Sequence, residues 1–257
     1  KAQALRNKRA KLEHNSMSHT LFISDLHLCD SKPDTTNHFI EFLKNDAPSA
    51  EALYILGDFF EVWAGDDCTT AMSNKVEKAL SEFTQQTRIP TYFMHGNRDF
   101  LISQKFTDRT GIKLIADPTP IDLYGKKILL THGDFLCIDD IKYQRMRRFT
   151  SKKWFRKVLM MLSKTTRQKI AANERHKSKL NHNMQRELYA DINTHYAKEH
   201  CNKHHCNFLI HGHTHMPQVN YLSKQQQVYR MTLSSWDDKP GYGLVSQNKF
   251  ELHYFSK

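Results

Sequence analysis

The stretch TLFISDLHLC, residues 20–29, places a short apolar run directly before an aspartate and a histidine. Such a run has the length of one buried strand and is too short for an ordinary helix. Asp25 and His27 follow it, where the strand would end. Layered α/β folds build their sites outside the carboxyl ends of their strands. The stretch therefore predicts a buried strand that carries two potential metal ligands to a site.

The same arrangement recurs along the chain. Four more apolar runs end in polar residues: Ala52–Leu56, Thr91–Met94, Lys127–Thr131 and Phe208–Ile210. Helical patterns separate them at 35–45, 71–88 and 100–110. This alternation predicts an α/β layered fold. Residues 216–257 alternate between polar and apolar, which predicts antiparallel strands.

The residues after the five runs share a donor chemistry. They lie in Asp25-Leu26-His27, Gly57-Asp58, Gly96-Asn97-Arg98-Asp99, His132-Gly133-Asp134 and His211-Gly212-His213-Thr214-His215. Carboxylates, an amide and imidazoles without thiolates suit Mn, Fe or Zn. Four of the nine glycines adjoin these residues, as expected where tight turns bring the backbone close to metals. One histidine at a strand end is usually packed or solvated, but five such segments in order predict a two-metal site.

Composition limits the other possibilities. With 257 residues, 39% hydrophobic and 25% charged, the chain has an ordinary globular composition and is not a disordered chain. No apolar run reaches the roughly 18 residues of a membrane-spanning helix. Five cysteines are an odd and sparse set, which favours a reducing compartment over a disulfide framework.

The net charge of +11 is concentrated in two places. Residues 1–16 carry +4, and we expect them to be a leader or a mobile extension before one domain over 17–257. Residues 142–186 contain fifteen Lys or Arg and one acid. We interpret about 139–200 as an inserted, basic, helical cap. So basic a segment indicates an anionic partner.

The ordered motifs DxH, GD, GNRD, HGD and HGHTH resemble the calcineurin-like metallophosphoesterases over residues 25–215. Within them the chain is most similar to the UDP-2,3-diacylglucosamine pyrophosphohydrolase branch. That likeness rests on FISDLHL at 22–28, LYILGDFFEVWAGDD at 53–67, YFMHGNRDFL at 92–101, ILLTHGDFLCIDD at 128–140 and LIHGHTH at 209–215. The resemblance implies an α/β fold with a β-sandwich flanked by helices and an inserted helical cap.

The resemblance also implies a dinuclear site that holds two Mn²⁺ ions. One ion would take Asp25, His27, Asp58 and His213, and the other would take Asp58, Asn97, His132 and His211. We expect His215 to orient this set from outside it. Two neighbouring ions can clamp phosphoryl oxygens and lower the pKa of a water molecule. Asp58, His132 and Arg98 are the expected catalytic residues.

Arg98 stands where many relatives carry a histidine that protonates the leaving group. An arginine cannot act as a general acid near pH 7, but it can clamp phosphate oxygens. Loss of the acid is tolerable when the leaving group is a weak base, as a phosphate monoester is. Arg98 therefore favours cleavage of a pyrophosphate bond. The alternative is a surface arginine that pairs with Asp99.

For this branch the implied reaction is hydrolysis of UDP-2,3-diacylglucosamine to UMP and 2,3-diacylglucosamine 1-phosphate (lipid X), in lipid A biosynthesis. Water would attack the α-phosphorus, at the inner face of the inner membrane of a Gram-negative bacterium. The implied substrate contacts are Asn97, Arg98, Asp140, Arg175, Ser178, His182, Gln185 and His211. His182 and Gln185 depart from the Asn or Lys and the Lys that the family tends to carry.

The cap leaves two interpretations open. Over 151–172, apolar residues recur at roughly helical spacing between basic clusters. This helix could lie in an anionic membrane interface, or it could pack its apolar face on the core. Two alternative functions also remain. A nuclease or nucleic-acid phosphodiesterase would use the basic segment on a phosphate backbone, although we expect no nucleic acid as partner. A non-catalytic scaffold would lack one of the metal-ligating residues. Every metal-ligand position of this chain is filled, which disfavours that alternative.

Overall fold

The computed structural model describes residues 18–173, 191–223 and 228–255, and within them the strands form two sheets. The first sheet contains β1 (His19–Ile23), β2 (Ala52–Leu56), β3 (Thr91–Met94), β4 (Lys113–Ile115), β10 (Gly241–Ser246) and β11 (Phe250–Tyr254). The second contains β5 (Thr119–Leu123), β6 (Lys126–Thr131), β7 (Phe208–His211), β8 (Gln218–Ser223) and β9 (Val228–Thr232). Their orders are β11-β10-β1-β2-β3-β4 and β5-β6-β7-β9-β8.

Parallel strands occupy the centre of both sheets. β1, β2 and β3 run parallel in the first sheet, as do β6, β7 and β9 in the second. The five strands predicted before polar motifs are all present. The tail does form the antiparallel pairs β8–β9 and β10–β11, but β9 also pairs in parallel with β7. The sequence analysis missed β4 and β5.

The sheets pack face to face because their strands are apolar on both sides. In β1, Phe22 faces the second sheet, whereas Leu21 and Ile23 point to the opposite face. Ile128 and Ile210 meet Phe22 from the second sheet in one buried cluster. This packing confirms the α/β layered fold that the sequence predicts and the β-sandwich that the resemblance implies.

Helices cover the outer face of the first sheet. They are α1 (Pro33–Asn45), α2 (Ala71–Thr87) and α3 (Gln104–Thr110). α1 begins with a proline, whose missing N–H costs nothing at that position. α2 begins with a capping box, in which Thr70 and Ser73 satisfy each other's backbone N–H groups. Their apolar faces pack on the outward side chains of β1, β2 and β3.

The cap begins directly after β6 and its loop. It contains α4 (Ile141–Thr150), α5 (Lys153–Met161) and α6 (164–173), and neither α4 nor α5 has a buried residue. The helix α7 (Thr194–Lys203) differs, because Ala197 and Cys201 are buried against the second sheet. α7 is therefore a core layer, although the predicted cap extended to about residue 200. Within the described ranges, no helix combines the length and hydrophobicity that a bilayer crossing requires.

Candidate metal centre

Loops at the carboxyl ends of the parallel strands meet at one place. The backbone N–H of Asp25, after β1, donates to the carbonyl of Gly57, after β2, at 3.1 Å. His27 donates to the carbonyl of Asp58, also at 3.1 Å. In the second sheet, Gly212 donates to the carbonyl of His132 at 3.0 Å. These hydrogen bonds hold the loops of each sheet in a fixed relative position.

Five of the candidate residues have a left-handed backbone. The φ angles are 54° at Asp25, 50° at His27, 50° at Asp58, 67° at His213 and 54° at His215. Residues other than glycine rarely adopt this region, and the strain persists only where the surroundings enforce it. Its concentration at these positions marks a site rather than a set of ordinary turns.

Two glycines permit the close approach of the loops. A Cβ at Gly96 would collide with the carboxylate and the backbone nitrogen of Asp58. A Cβ at Gly212 would collide with Ser24 and with the carboxylate of Asp25. Neither glycine has a positive φ. Close approach, rather than backbone conformation, therefore requires glycine at both positions.

Asp25, His27 and His215 form the first group of ligand-type atoms, all within 4.8 Å of one another. His215 Nε2 lies 3.2 Å from His27 Nε2 and 3.3 Å from Asp25 Oδ1. Asp25 and His27 are buried. The other oxygen of Asp25, Oδ2, accepts hydrogen bonds from Ser24 Oγ and from the backbone of His213. These bonds fix the plane of the carboxylate.

Asp58, His132 and His213 form the second group, again within 4.8 Å. His132 Nε2 lies 3.6 Å from Asp58 Oδ1 and 3.1 Å from Asn97 Oδ1. Its other nitrogen, Nδ1, bonds to the carbonyl of Leu56 at 2.9 Å and must be the donor there. A ligand histidine is commonly oriented in this way, with its free nitrogen directed into the site.

The hydrogen bonding of two buried atoms in the first group shows whether these residues suit a metal ion. Within the described ranges, His27 Nδ1 is shielded from solvent and has no hydrogen-bond partner, and Asp25 Oδ1 is equally shielded with only the ring nitrogen of His215 near it, at 3.3 Å. Buried polar atoms are almost always satisfied, so each exception indicates a missing partner such as an ion. The donor set of carboxylates and imidazoles, without thiolates, suits a catalytic metal ion. The residues therefore fit a dinuclear metal site.

The electrostatics of the second group attract a cation, although a metal ion would have to displace a proton from His132. Burial alone would lower the pKa of His132, but Asp58 and Asp25 raise it to about 9. Burial lowers the pKa of His213 to about 3, and His132 acts in the same direction. His213 is therefore neutral near pH 7, as an imidazole ligand must be. The carboxylates beside His132 form a region that attracts cations.

The calcineurin-like phosphoesterase family matches residues 18–217 of this chain. The chain belongs to this family. The UDP-2,3-diacylglucosamine hydrolase of Aeromonas salmonicida (strain A449) is 42% identical over 218 residues, 84% of this chain and 85% of that protein. The protein of the same name from Coxiella burnetii (strain RSA 331 / Henzerling II) is 42% identical over 241 residues, 93% of this chain and 98% of the relative.

A third relative and one solved structure extend the comparison. The UDP-2,3-diacylglucosamine hydrolase of Escherichia coli O7:K1 (strain IAI39 / ExPEC) is 38% identical over 237 residues, 92% of this chain and 98% of that one. A solved structure described as a novel archaeal phosphodiesterase aligns with a TM-score of 0.42 and 14% identity, over 92% of this chain and 99% of the other.

The histidines of this phosphoesterase are grouped differently from the set that the resemblance implied. His213 lies with Asp58 and His132, and His215 takes its place beside Asp25 and His27. The reason is that the backbone of His213, rather than its ring, contacts Asp25. The ring lies beside His132, with centroids 5.1 Å apart.

His211 belongs to neither compact group. Its Nδ1 bonds to the carbonyl of Gly212 at 2.8 Å, and its Nε2 lies 3.0 Å from the hydroxyl of Thr232. Both ring nitrogens are thus engaged by protein atoms. His211 could bind a metal ion or the substrate only if its ring gave up its contact with Gly212 or with Thr232.

Arg98 is held beside the second group by two acids. Its Nε lies 3.4 Å from Asp58 Oδ2, and its Nη1 donates to Glu61 Oε1 at 2.9 Å. The side chain of Arg98 is 19% exposed, so it borders the site opening. Burial lowers the pKa of its guanidinium, but Asp58 and Glu61 outweigh burial and raise it. The sequence analysis did not single out Glu61, although this residue lies within the quoted stretch LYILGDFFEVWAGDD at 53–67.

The predicted substrate contacts are only partly described. Asp140 is the N-cap of α4 and accepts a hydrogen bond from the backbone of Tyr143 at 2.9 Å. Four further predicted contacts lie outside the described residues: Arg175, Ser178, His182 and Gln185. The sequence analysis also missed the hydrogen bond between Tyr143 and Asp134 beside the metal centre. The sequence signal for this contact is an HGD motif followed by a basic helix.

Proposed function

We propose that this chain hydrolyses the pyrophosphate bond of UDP-2,3-diacylglucosamine, giving UMP and 2,3-diacylglucosamine 1-phosphate in lipid A biosynthesis. The observation that carries the proposal is the similarity to hydrolases of that name, at 38–42% identity over 84–93% of this chain. A site of carboxylates and imidazoles at the strand ends supplies the chemistry such a reaction needs.

The proposed metal ions are two Mn²⁺. Asp25, His27, Asp58, Asn97, His132, His211 and His213 are the proposed ligands. Their oxygen and imidazole donors, without thiolates, support manganese over a structural zinc. When bound, such a pair polarises the phosphoryl group and activates water. The protein's own contribution is to hold the carboxylates and rings in place through the strained loops.

Arg98 is the proposed clamp for the phosphoryl oxygens. Its guanidinium keeps its charge at any physiological pH and can donate two parallel hydrogen bonds. Glu61 and Asp58 fix its position at the rim of the site. As water attacks the α-phosphorus, the bond to the bridging oxygen breaks and a phosphate monoester departs. This leaving group is a weak base, so the reaction does not require a general acid at position 98.

The cap is the proposed contact for the acyl chains and for an anionic membrane surface. Its helices expose apolar side chains among lysines and arginines, with Trp154 at 56% and Met161 at 85% exposure. A helix that packed its whole apolar face on the core would bury such residues. We therefore propose peripheral association with the inner face of the inner membrane. The water-insoluble substrate would meet the enzyme there.

The first experiment is manganese-dependent release of UMP from UDP-2,3-diacylglucosamine by the purified protein. Asp58→Ala removes the carboxylate of the second group and should abolish release. Arg98→Ala should reduce it by two or more orders of magnitude, as expected when a charged group that stabilises the transition state is lost. The hydrolysis of bis(p-nitrophenyl) phosphate serves as a parallel readout of the metal centre.

One result would overturn the substrate assignment and keep the metal centre. A manganese-loaded protein that cleaves bis(p-nitrophenyl) phosphate but releases no UMP is a phosphoesterase with another substrate. The nuclease alternative would then be tested with single- and double-stranded nucleic acid. Binding that falls steeply with salt concentration would support it.

A further inference from the structure

Tyr143, in the first turn of α4, connects the cap with the loop that carries His132. Its hydroxyl donates to Asp134 Oδ2 at 2.7 Å. Asp134 is buried and lies two residues after His132, in the tight turn that follows β6. The ring of Tyr143 lies 5.8 Å from that of His213, between centroids. One side chain of the cap thus touches two parts of the metal centre.

Two neighbours of Tyr143 reinforce the same junction. Arg147, one turn further along α4, donates from Nε to the same oxygen of Asp134 at 2.6 Å. Gln144 donates to the backbone carbonyl of Asp134 at 2.8 Å. Three contacts therefore fix the first turns of α4 on Asp134, although α4 buries no residue in the core.

Tyr143 also fixes a proposed substrate contact. Its backbone N–H donates to Asp140 Oδ1 at 2.9 Å, which orients the Asp140 carboxylate at the N-terminus of α4. The hydrogen bond from the Tyr143 hydroxyl to Asp134 is therefore one of the contacts that set the position of Asp140 relative to the metal centre. A displacement of about 1 Å in such a contact is enough to impair substrate positioning.

We infer that Tyr143 is a positioning residue that sets the distance between the Asp140 carboxylate and the metal centre. The inference rests on the proposed function, since it assigns Asp140 a role in binding the lipid-linked nucleotide. Tyr143 acts through Asp140 rather than on the reacting atoms. A small phosphodiester that does not reach Asp140 is therefore cleaved without its help.

The state of the phenol supports this role. Burial and the adjacent Asp134 carboxylate raise the pKa of Tyr143 well above its ordinary value. The hydroxyl therefore keeps its proton and gives it to Asp134 in a hydrogen bond. A group in this state is poorly suited to exchange protons with a substrate.

The test is Tyr143→Phe, which keeps the ring against His213 and removes only the hydroxyl. For UDP-2,3-diacylglucosamine we expect KM to rise about five- to tenfold, the loss typical of one hydrogen bond. We expect kcat to change less than twofold. The rate on bis(p-nitrophenyl) phosphate and the manganese affinity, measured by calorimetry, should match those of the wild type. Tyr196→Phe is the matched control, because Tyr196 lies in α7, outside the cap, and packs on Phe135.

A double-mutant cycle decides whether Tyr143 acts through Asp140. If it does, Tyr143→Phe combined with Asp140→Ala raises KM no further than Asp140→Ala alone. Additive effects would overturn the inference, as would equal losses on both substrates or a weaker affinity for manganese. An unchanged KM in Tyr143→Phe would overturn it too.

Failure of the proposed function has a different signature. In that case the wild-type protein releases no UMP, whatever residue stands at position 143. Failure of the inference alone leaves UMP release by the wild type intact and removes only the effect of Tyr143→Phe on KM.

Discussion

The carboxylate of Asp99 accepts the backbone N–H of Phe59 at 2.7 Å, although 40 residues separate them along the chain. Its other oxygen accepts the backbone N–H of Gly96 at 2.8 Å. Asp99 is completely buried. It therefore ties the loop after β2, which carries Asp58, to the loop after β3, which carries Asn97.

Replacement of Asp99 by alanine should destabilise both the fold and the metal centre. Two buried N–H groups would lose their acceptor, at about 1–3 kcal/mol each. We expect the free energy of unfolding in urea to fall by about 2–6 kcal/mol, the sum of these losses. Manganese affinity should weaken as well. Asp99→Asn retains one acceptor oxygen and should lose less. Equal stability of Asp99→Ala and the wild type would show that the two loops do not depend on this carboxylate.

A second prediction concerns the anchor of α6. Arg167 is buried and donates to both oxygens of Asp67, at 2.9 and 2.7 Å, and to the carbonyl of Ala64. Gly65 has a φ of +118°, and a Cβ there would collide with the guanidinium of Arg167. Gly65→Ala should therefore cost about 1–3 kcal/mol for the strained backbone and further stability for the displaced ion pair.

Gly125 supplies a matched control for Gly65. It also has a positive φ, +75°, but a Cβ there would meet no atom within 4 Å. Gly125→Ala should therefore cost only the backbone term, about 1–2 kcal/mol. The difference between the two variants in urea unfolding measures the effect of the collision with Arg167. If both variants lose the same stability, a Cβ at position 65 does not displace Arg167.

Local patterns were sufficient to predict the central strands and the loops that carry the site. A buried strand followed by Asp25 or His132 is readable because both the strand and its polar end are contiguous in sequence. β4 was missed because it has only three residues, Lys113–Ile115. The position of the His213 ring beside His132, rather than beside Asp25 and His27, was also unreadable. It depends on how two sheets dock, which places a backbone atom of His213 against Asp25.

His215 allows a test of which residues hold the metals. Its Nε2 lies 3.3 Å from Asp25 Oδ1 and 3.2 Å from His27 Nε2. If His215 orients these residues from outside the ligand set, His215→Ala should weaken manganese binding about 10–100-fold and leave the stoichiometry at two. Asp25→Ala should remove one ion. Isothermal titration calorimetry of the three proteins gives both numbers. A stoichiometry of one in His215→Ala would make His215 a ligand.

The exposed apolar residues of the cap give a test of membrane association. Trp154 in α5 is 56% exposed and is surrounded by lysines and arginines of the cap, whereas Tyr221 on β8 is 55% exposed. Burial of a large aromatic side chain in a membrane interface contributes about 1.5–3 kcal/mol by its apolar area alone. Trp154→Glu should therefore weaken binding to vesicles with anionic lipid at least tenfold, and higher salt should weaken it further.

Tyr221→Glu is the control for this experiment, because it makes an equal change of charge at equal exposure outside the cap. Cosedimentation with vesicles of phosphatidylethanolamine and phosphatidylglycerol should be unchanged in this variant. If both variants bind as the wild type does, the apolar face of the cap does not contact the membrane. Equal weakening in both would mean that no local contact of the cap governs binding, since the two substitutions differ in their place on the molecule. Selective loss in Trp154→Glu requires a local contact between α5 and the lipid.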